Sequence, residues 1–379
     1  MSYTPRTSPF SITTLAFAIA AANSSYIQAD DSRLLNTPDM DFTDNATSID
    51  ISDKGQNVNL EWNKFNILES ETFEFIQAEN GVVVNQIVGG SASEIMGGIK
   101  ANGHVFLVNE NGFTFGKNAV IDTQGFLATT FSAVLSEGDV TLSPGTGNGV
   151  IDLDKLDIVG DTQYVAFYSP SINVNGSVTD QTTGNDTQIS LSTQALAGDI
   201  TLPGLPIGFS LKDESNIIPT TQTLTIKDET TTGANDQGTI TSQNGTVILN
   251  SRDISNLLDN TVTLPNQISA KNLIANVSSD TKFSKSLNFN NSGIENFTLN
   301  TTKNIDVENF ITGSHLNLTL KGSNITVKET GSEYGNIGGS NGLNNINLIT
   351  SNNSGVITLS NSIRASDSLS LIGNINITD

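Results

Sequence analysis

The chain of 379 residues has no cysteine and only two histidines, His104 and His315. The first absence excludes disulfides, thiol nucleophiles and thiolate-bound zinc. The second excludes a multi-histidine metal site within one chain. Basic residues are scarce too: 17 Lys and Arg stand against 39 Asp and Glu, a formal net charge of −22. Binding to a phosphate backbone needs a dense basic surface, so nucleic acid is excluded as a partner. Charged residues amount to 15% of the chain, against roughly a quarter in ordinary soluble domains. Uncharged groups supply the missing polarity; asparagine alone is about an eighth of the chain, with Ser, Thr and Gly abundant beside it. These residues are poor helix formers. The balance predicts a β architecture rich in turns.

Long apolar runs are missing except near the start. Arg6 precedes Phe10 to Ala22 (FSITTLAFAIAAA), a run of the length of a signal-peptide core and short of the roughly 20 residues that span a bilayer. We expect residues 1–29 to be a signal peptide, with small-residue cleavage options at Ala18-Ile19-Ala20, Ala20-Ala21-Ala22 or Ala29. The mature chain is expected to leave the cytoplasm with no stable membrane insertion.

From Ile49 onward short alternating runs are separated by Asn, Gly, Ser and Asp. Val58 to Trp62, Gly81 to Val88 and Val105 to Val108 read as strands. The rhythm is clearest near the C-terminus, in Ile305-Asp306-Val307, Leu316 to Leu320, Ile325-Thr326-Val327, Ile346-Asn347-Leu348, Val356 to Leu359 and Ile375-Asn376-Ile377. Each pairs inward aliphatics with outward Asn, Thr or Ser. The elements are short, the turns are not hairpin dipeptides, and the pattern does not close as a sandwich would. We therefore expect an all-β fold, a right-handed parallel β-helix with an N-terminal cap. At about 20 residues per coil and about 4.8 Å per coil, it would hold about 15 coils over roughly 70 Å. Residues 180–237 depart from the rhythm and are expected to be a small insertion standing off the rod. The segment 251–379 reads as further repeats. It ends inside the pattern without a polar cap, which is expected of a truncated chain or a fragment.

Residues Asn102 to Thr130 read NGHVFLVNENGFTFGKNAVIDTQGFLATT. Asn109-Glu110-Asn111-Gly112 is a turn between apolar strands, followed by Phe113-Thr114-Phe115-Gly116 and Gly125-Phe126-Leu127-Ala128-Thr129-Thr130. Upstream lie Leu60-Glu61-Trp62-Asn63-Lys64-Phe65-Asn66-Ile67, Val84 to Gly90 and Ser93 to Ile99. Together these segments resemble the secretion domain of two-partner secretion exoproteins, the filamentous-haemagglutinin N-terminal (haemagglutination activity) family, and most the branch of the high-molecular-weight adhesins. The resemblance covers residues 35 to 250, and the secretion domain is placed at 30–250. In that family the turn is Asn-Pro-Asn-Gly. Here Glu110 replaces Pro and loses a residue that pre-sets φ.

The resemblance implies an adhesin-type exoprotein, secreted or displayed on the cell surface by way of the periplasm of a Gram-negative bacterium. Its partners would be the general secretory machinery, then the periplasmic modules of an outer-membrane barrel transporter, then a host or neighbouring-cell receptor that the sequence does not identify. The N-terminal domain would act as secretion signal and folding nucleus. Asn109, Asn111, Gly112, Gly116 and Gly125 carry the secretion motif; Trp62, Phe65 and Asn66 carry the upstream family element. The plain physical reading of Asn109, Asn111 and Gly112 is a turn that stabilises one coil, Asn by bonding nearby backbone and Gly by permitting positive φ.

No catalytic, cofactor-binding or metal site is expected. His104 lies in a strand without an assignable partner, His315 in a turn, and Trp62 packs an early coil, with sugar stacking as its alternative. The runs Asp30-Asp31, Asp39 to Asp44 and Asp152-Leu153-Asp154 read as solvated charge. Asn-x-Ser/Thr triplets at Asn175, Asn244, Asn276, Asn296, Asn300, Asn317, Asn324 and Asn376 are candidates for glycosylation. The competing functions are a cytolysin or contact-dependent toxin of the same pathway and a β-helical polysaccharide lyase. The lyase would need clustered carboxylates and a basic residue, which are not readable here.

Overall fold

In a computed structural model, the structure describes residues 26–27, 46–136, 139–143, 149–183, 186–193, 202–211, 223–227, 237–252, 254, 257, 267–328, 337–339 and 342–378. Among the described residues it is all β with essentially no helix, a parallel β-solenoid of about 11 turns. Apart from 26–27, the expected signal segment and the early Asp runs lie outside the described residues. No helix among the described residues is long and apolar enough to cross a membrane.

Each coil contributes strands to three walls. The long wall begins with Tyr26–Ile27 and runs through Asn57–Trp62, Val82–Ile87, His104–Val108, Gly125–Thr129, Tyr164–Tyr168 and Gln188–Ser192, each parallel to the next. It continues through Thr239–Ser251, Ile268–Val277, Asn296–Thr301, Asn317–Gly322, Leu343–Thr350 and Ala365–Ile372. A second wall follows it in each coil, for example Ser93–Ile95, Gly112–Phe115 and the first half of Val150–Ile158. The third wall is shorter and ends in Leu287–Asn288, Ile311–Thr312 and single bridges at Ile337 and Ile363.

Alternation selects what each strand buries. Asn57–Trp62 follows the pattern of half-buried outward and fully buried inward residues, as do Asn296–Thr301 and Asn317–Gly322. In-register stacking then builds aliphatic and aromatic columns along the axis. One runs Val58, Val83, Val105, Phe126, Val165 and Ile189, then onward to Leu273, Phe297 and Leu318. Burying one such side chain is worth about 1.5–3 kcal/mol, so every coil adds stability on the same terms.

The coil count corrects the expected 15. Apart from two longer coils, cross-coil partners stand 18 to 32 residues apart, and most exceed the expected 20, as the 28 between Asn317 and Asn345 does. At about 4.8 Å per coil, 11 turns give roughly 53 Å. Two coils are far longer, with partners 39 and 58 residues apart. Their excursions build a separate three-stranded sheet, Ser132–Ser136 antiparallel to Asp139–Ser143 and the latter parallel to Gly208–Leu211.

The off-rod region therefore has other limits than the expected 180–237. Within that range Gln188–Ser192 belongs to the long wall and Thr223–Ile226 pairs with Ser171–Asp180 in the second wall. The hairpin at 132–143 lies outside it. This small sheet packs on the outer side of the long wall and closes a second core. Val82, Val84, Phe106, Leu127, Tyr164 and Tyr168 face Ala133, Leu135, Val140, Leu142 and Phe209 there.

Candidate functional site

The turn 109–112 joins the long wall to the second wall. Asn109 is fully buried. Its Nδ2 donates to the Ser91 carbonyl and to Ser93 Oγ, both at 3.0 Å, and its Oδ1 accepts the Asn111 backbone N–H at 3.0 Å. Asn111 is exposed, and its Nδ2 donates to the Gly89 carbonyl at 2.9 Å. Gly112 has φ of +108°, and a Cβ there would lie 2.4 Å from the Val150 carbonyl oxygen of the next coil. Only glycine fits both demands. The two asparagines thus fasten the loop 89–93 of the preceding coil, while Gly112 admits the following one.

Glu110 also has a partner. Its Oε1 accepts from Ser132 Oγ at 2.9 Å, the first residue of the outlying hairpin. The residue that departs from the family's proline ties the turn to the off-rod sheet, supported by Gln86 Nε2 donating to the Ala133 carbonyl at 3.2 Å. Nothing in the local sequence announces these contacts, since Ser132 lies 22 positions downstream.

The other motif residues are spread through the inner structure. The Gly116 N–H donates to the Ile95 carbonyl at 2.9 Å, and a Cβ on it would lie 2.1 Å from Met96 Sδ. Gly125 sits between His104 and Tyr164 of the coils before and after it. Trp62 and Phe65 are fully buried, in edge contact at 4.8 Å, with Phe73 and Phe75 beside them. Burial removes the sugar-stacking alternative for Trp62. Its indole Nε1–H instead donates at 2.9 Å to Asn85 Oδ1, an inward-pointing amide whose Nδ2 donates to the Phe106 carbonyl. Asn66 Oδ1 accepts the Glu94 N–H at 3.2 Å, a clasp to the next coil.

His104 is buried, with Nδ1 3.2 Å from the Tyr164 hydroxyl. Burial depresses it to about 4 and raises Tyr164 and Tyr168. The ring has no carboxylate or serine partner of a catalytic kind among the described residues. His315 is exposed, in a turn. Asp152 and Asp154 accept amide hydrogens from Asn173 at 2.8 Å and Asn175 at 3.2 Å. Among the described residues no cluster of three or more His, Asp or Glu is arranged to hold a metal ion.

Several triplet asparagines form ladders on the outer faces. Asn296 Nδ2 donates to Asn272 Oδ1 at 2.8 Å, Asn317 to Asn296 at 2.9 Å and Asn345 to Asn317 at 2.7 Å. A second ladder joins Asn300, Asn276 and Asn250, and Asn324 donates to Asn304. Asn244 and Asn376 are exposed.

The early coils of this parallel solenoid thus carry an Asn-x-Asn-Gly clamp and an off-rod sheet. The family model of the TPS secretion domain matches residues 26–293. The chain belongs to that family, and it is an exoprotein of the two-partner secretion pathway. The family is one of secretion domains and not of enzymes. It implies a partner transporter in the outer membrane and passage across that membrane to the cell surface or the extracellular space.

Among curated proteins, a heme/hemopexin-binding protein of Haemophilus influenzae is 41% identical over 80 residues, 21% of this chain and 8% of that protein. The corresponding protein of H. influenzae strain ATCC 51907 / DSM 11121 / KW20 / Rd is 38% identical over 81 residues, 21% of this chain and 9% of that protein. The matched stretch is thus under a tenth of either relative. The crystal structure of the HMW1 secretion domain from H. influenzae aligns over 84% of this chain and 76% of that chain, at 19% identity and a TM-score of 0.33.

Proposed function

We propose that this chain is an adhesin-type exoprotein without enzymatic activity, whose N-terminal coils are the signal read by its transporter and the nucleus on which the rod folds. The observation that carries the reading is the match of residues 26–293 to the secretion domain, joined to the clamp at 109–112. That turn ties two successive coils and the off-rod sheet together at one place. Asn109, Asn111 and Gly112 hold the geometry; Gly116 and Gly125 let neighbouring coils close; Trp62, Phe65 and Asn66 pack and clasp the first coils. Downstream, faces of Asn, Thr and Ser give a long, weakly charged rod suited to display at a surface.

The signal peptide enters this reading with cleavage after Ala22. Tyr26–Ile27 pairs with Asn59 and Leu60 in the long wall, so a cut after Ala29 would remove a strand. The general secretory machinery would deliver the precursor to the periplasm and the barrel transporter would export it. The receptor is unidentified. Heme or hemopexin binding is not carried over, because the likeness takes in so little of those relatives. A cytolysin or toxin of the same pathway is the second reading, and the shared secretion domain favours neither.

The test is export from cells with and without the cognate barrel. Release should fall at least tenfold when the barrel is deleted. Undiminished release would overturn the proposal.

A further inference from the structure

An asparagine followed by glycine is chemically labile, because the glycine backbone nitrogen reaches the side-chain amide carbon unhindered by a Cβ. Among the described residues the chain has five such pairs, at Asn80, Asn102, Asn111, Asn175 and Asn244. The fold treats them differently.

Three have their amides held. Asn102 is bonded through both side-chain atoms, Oδ1 accepting the Gln77 N–H at 2.7 Å and Nδ2 donating to the Gln77 carbonyl at 2.9 Å. Asn111 Nδ2 donates to the Gly89 carbonyl, and Asn175 Nδ2 donates to Asp154 Oδ1. At Asn80 the nucleophile is engaged instead, since the Gly81 N–H donates to the Ala78 carbonyl at 2.8 Å.

Asn244 is exposed, and among the described residues no hydrogen bond holds its amide. Its backbone also stands outside the ladder. Toward the next coil the register passes from Ser242–Ala270 to Thr246–Asn272, so residues 243–245 bulge against Lys271 alone. Toward the coil before, it passes from Thr179–Thr241 to Gln188–Thr246. Glycine is demanded at the second position of the pair. A Cβ on Gly245 would lie 2.1 Å from the Thr187 carbonyl oxygen and 2.2 Å from Ser242 Oγ. The fold thus requires the residue that makes the pair reactive.

We propose that Asn244 is a site of spontaneous covalent modification, converted to aspartate and isoaspartate in the folded rod. The Gly245 nitrogen attacks Asn244 Cγ, and the new N–C bond closes a five-membered imide. Nδ2 leaves as ammonia, taking the proton of the Gly245 nitrogen with it. Water then adds to either imide carbonyl and breaks that carbon's bond to the ring nitrogen, which yields aspartate or isoaspartate. The product carries one more negative charge, and its iso form one more main-chain atom. The bulge takes up that atom without shifting the ladders on either side. Asn244-Gly245-Thr246 also ceases to be an acceptor triplet for glycosylation.

The test ages the purified full chain in mildly alkaline buffer, folded and in urea, and maps each asparagine by peptide mass spectrometry. In the folded chain Asn244 should convert about tenfold faster than Asn80, Asn102, Asn111 and Asn175, whose hydrogen bonds must break first. In urea the five should convert at like rates. Conversion of folded Asn244 no faster than that of the held asparagines would overturn the proposal, and so would the same ranking in urea. Asn244→Gln should end conversion at this position and leave the thermal midpoint unchanged. Aged wild-type chain should keep its midpoint too; a fall in proportion to conversion would refute uptake of the extra atom by the bulge.

Discussion

The imidazole of His104 and the phenol of Tyr164 lie parallel across an intervening coil, their centroids 5.8 Å apart and their planes at 15°. The residue between them in the ladder is Gly125, paired to both. A Cβ at Gly125 would stand 2.3 Å from Tyr164 Cε1 and 2.6 Å from His104 Nδ1. The glycine of the secretion motif is therefore the gap through which two aromatic rings meet.

Gly125→Ala should destabilise the domain by about 2–4 kcal/mol, as overpacking against a filled core does. Because the clash is with side chains, His104→Ala should relieve part of it. Urea unfolding of the two single variants and the double variant measures this coupling. Strictly additive losses would show that the rings do not set the requirement for glycine.

His104 gives the domain a pH dependence of defined sign. Burial holds the folded imidazole near 4, against 6.5 for the free group. Below about 6.5 the unfolded chain takes up a proton that the folded chain does not, so the stability from this group is complete above that pH and is lost as pH falls toward 4. The loss approaches about 3 kcal/mol at the acid end. Urea midpoints of wild type and His104→Gln at pH 7.5 and 4.5 test it. The variant should lose less on acidification, and equal losses would contradict the assignment.

The two motif asparagines should differ. Asn109→Ala leaves the Ser91 carbonyl and Ser93 Oγ without a buried donor and should cost about 2–3 kcal/mol. Asn111→Ala loses an exposed contact to Gly89 and should cost under about 1 kcal/mol. Thermal unfolding gives the ranking. If Asn111→Ala nevertheless abolishes export while leaving the melt unchanged, its role is recognition rather than stability.

Asn296 is a middle rung, donating to Asn272 and accepting from Asn317. Asn296→Ala should cost about 1 kcal/mol, and Asn296→Asp more, because an oxygen replaces the donor facing Asn272 Oδ1. Chemical denaturation at neutral pH should place the Asp variant below the Ala variant; the reverse order would mean that the ladder is not holding the coils.

Much of the rod is legible in the sequence because one rule repeats. Ile305-Asp306-Val307 and Ile325-Thr326-Val327 alternate inward and outward, and each lies in register on the next. The rule fails where both sides of a strand are covered. Tyr164–Tyr168 is buried at every position, and periodicity cannot show that its outer side has a second partner. Ser132-Ala133-Val134-Leu135-Ser136 alternates like any solenoid strand, so its departure to another sheet leaves no local mark. Elements of the third wall, such as Leu287–Asn288, are too short to register as strands, so strand spacing alone does not give the coil length. At the turn 109–112 sequence identifies the bonding types of Asn and Gly, but the partners Ser91, Ser93, Ser132 and Val150 are supplied only by folding.

The amide ladders have a direction. Asn296, Asn317 and Asn345 each donate back to the coil before, as do Asn276, Asn300 and Asn324. The side-chain dipoles therefore add along the axis, head to tail, instead of cancelling. A coil already in place offers an oxygen, and the coil that follows brings the hydrogen. The two ends of the array are chemically distinct, and polymerisation from the N-terminal side always meets a ready acceptor. The order in which the chain emerges is thus written into its surface amides as a polarity.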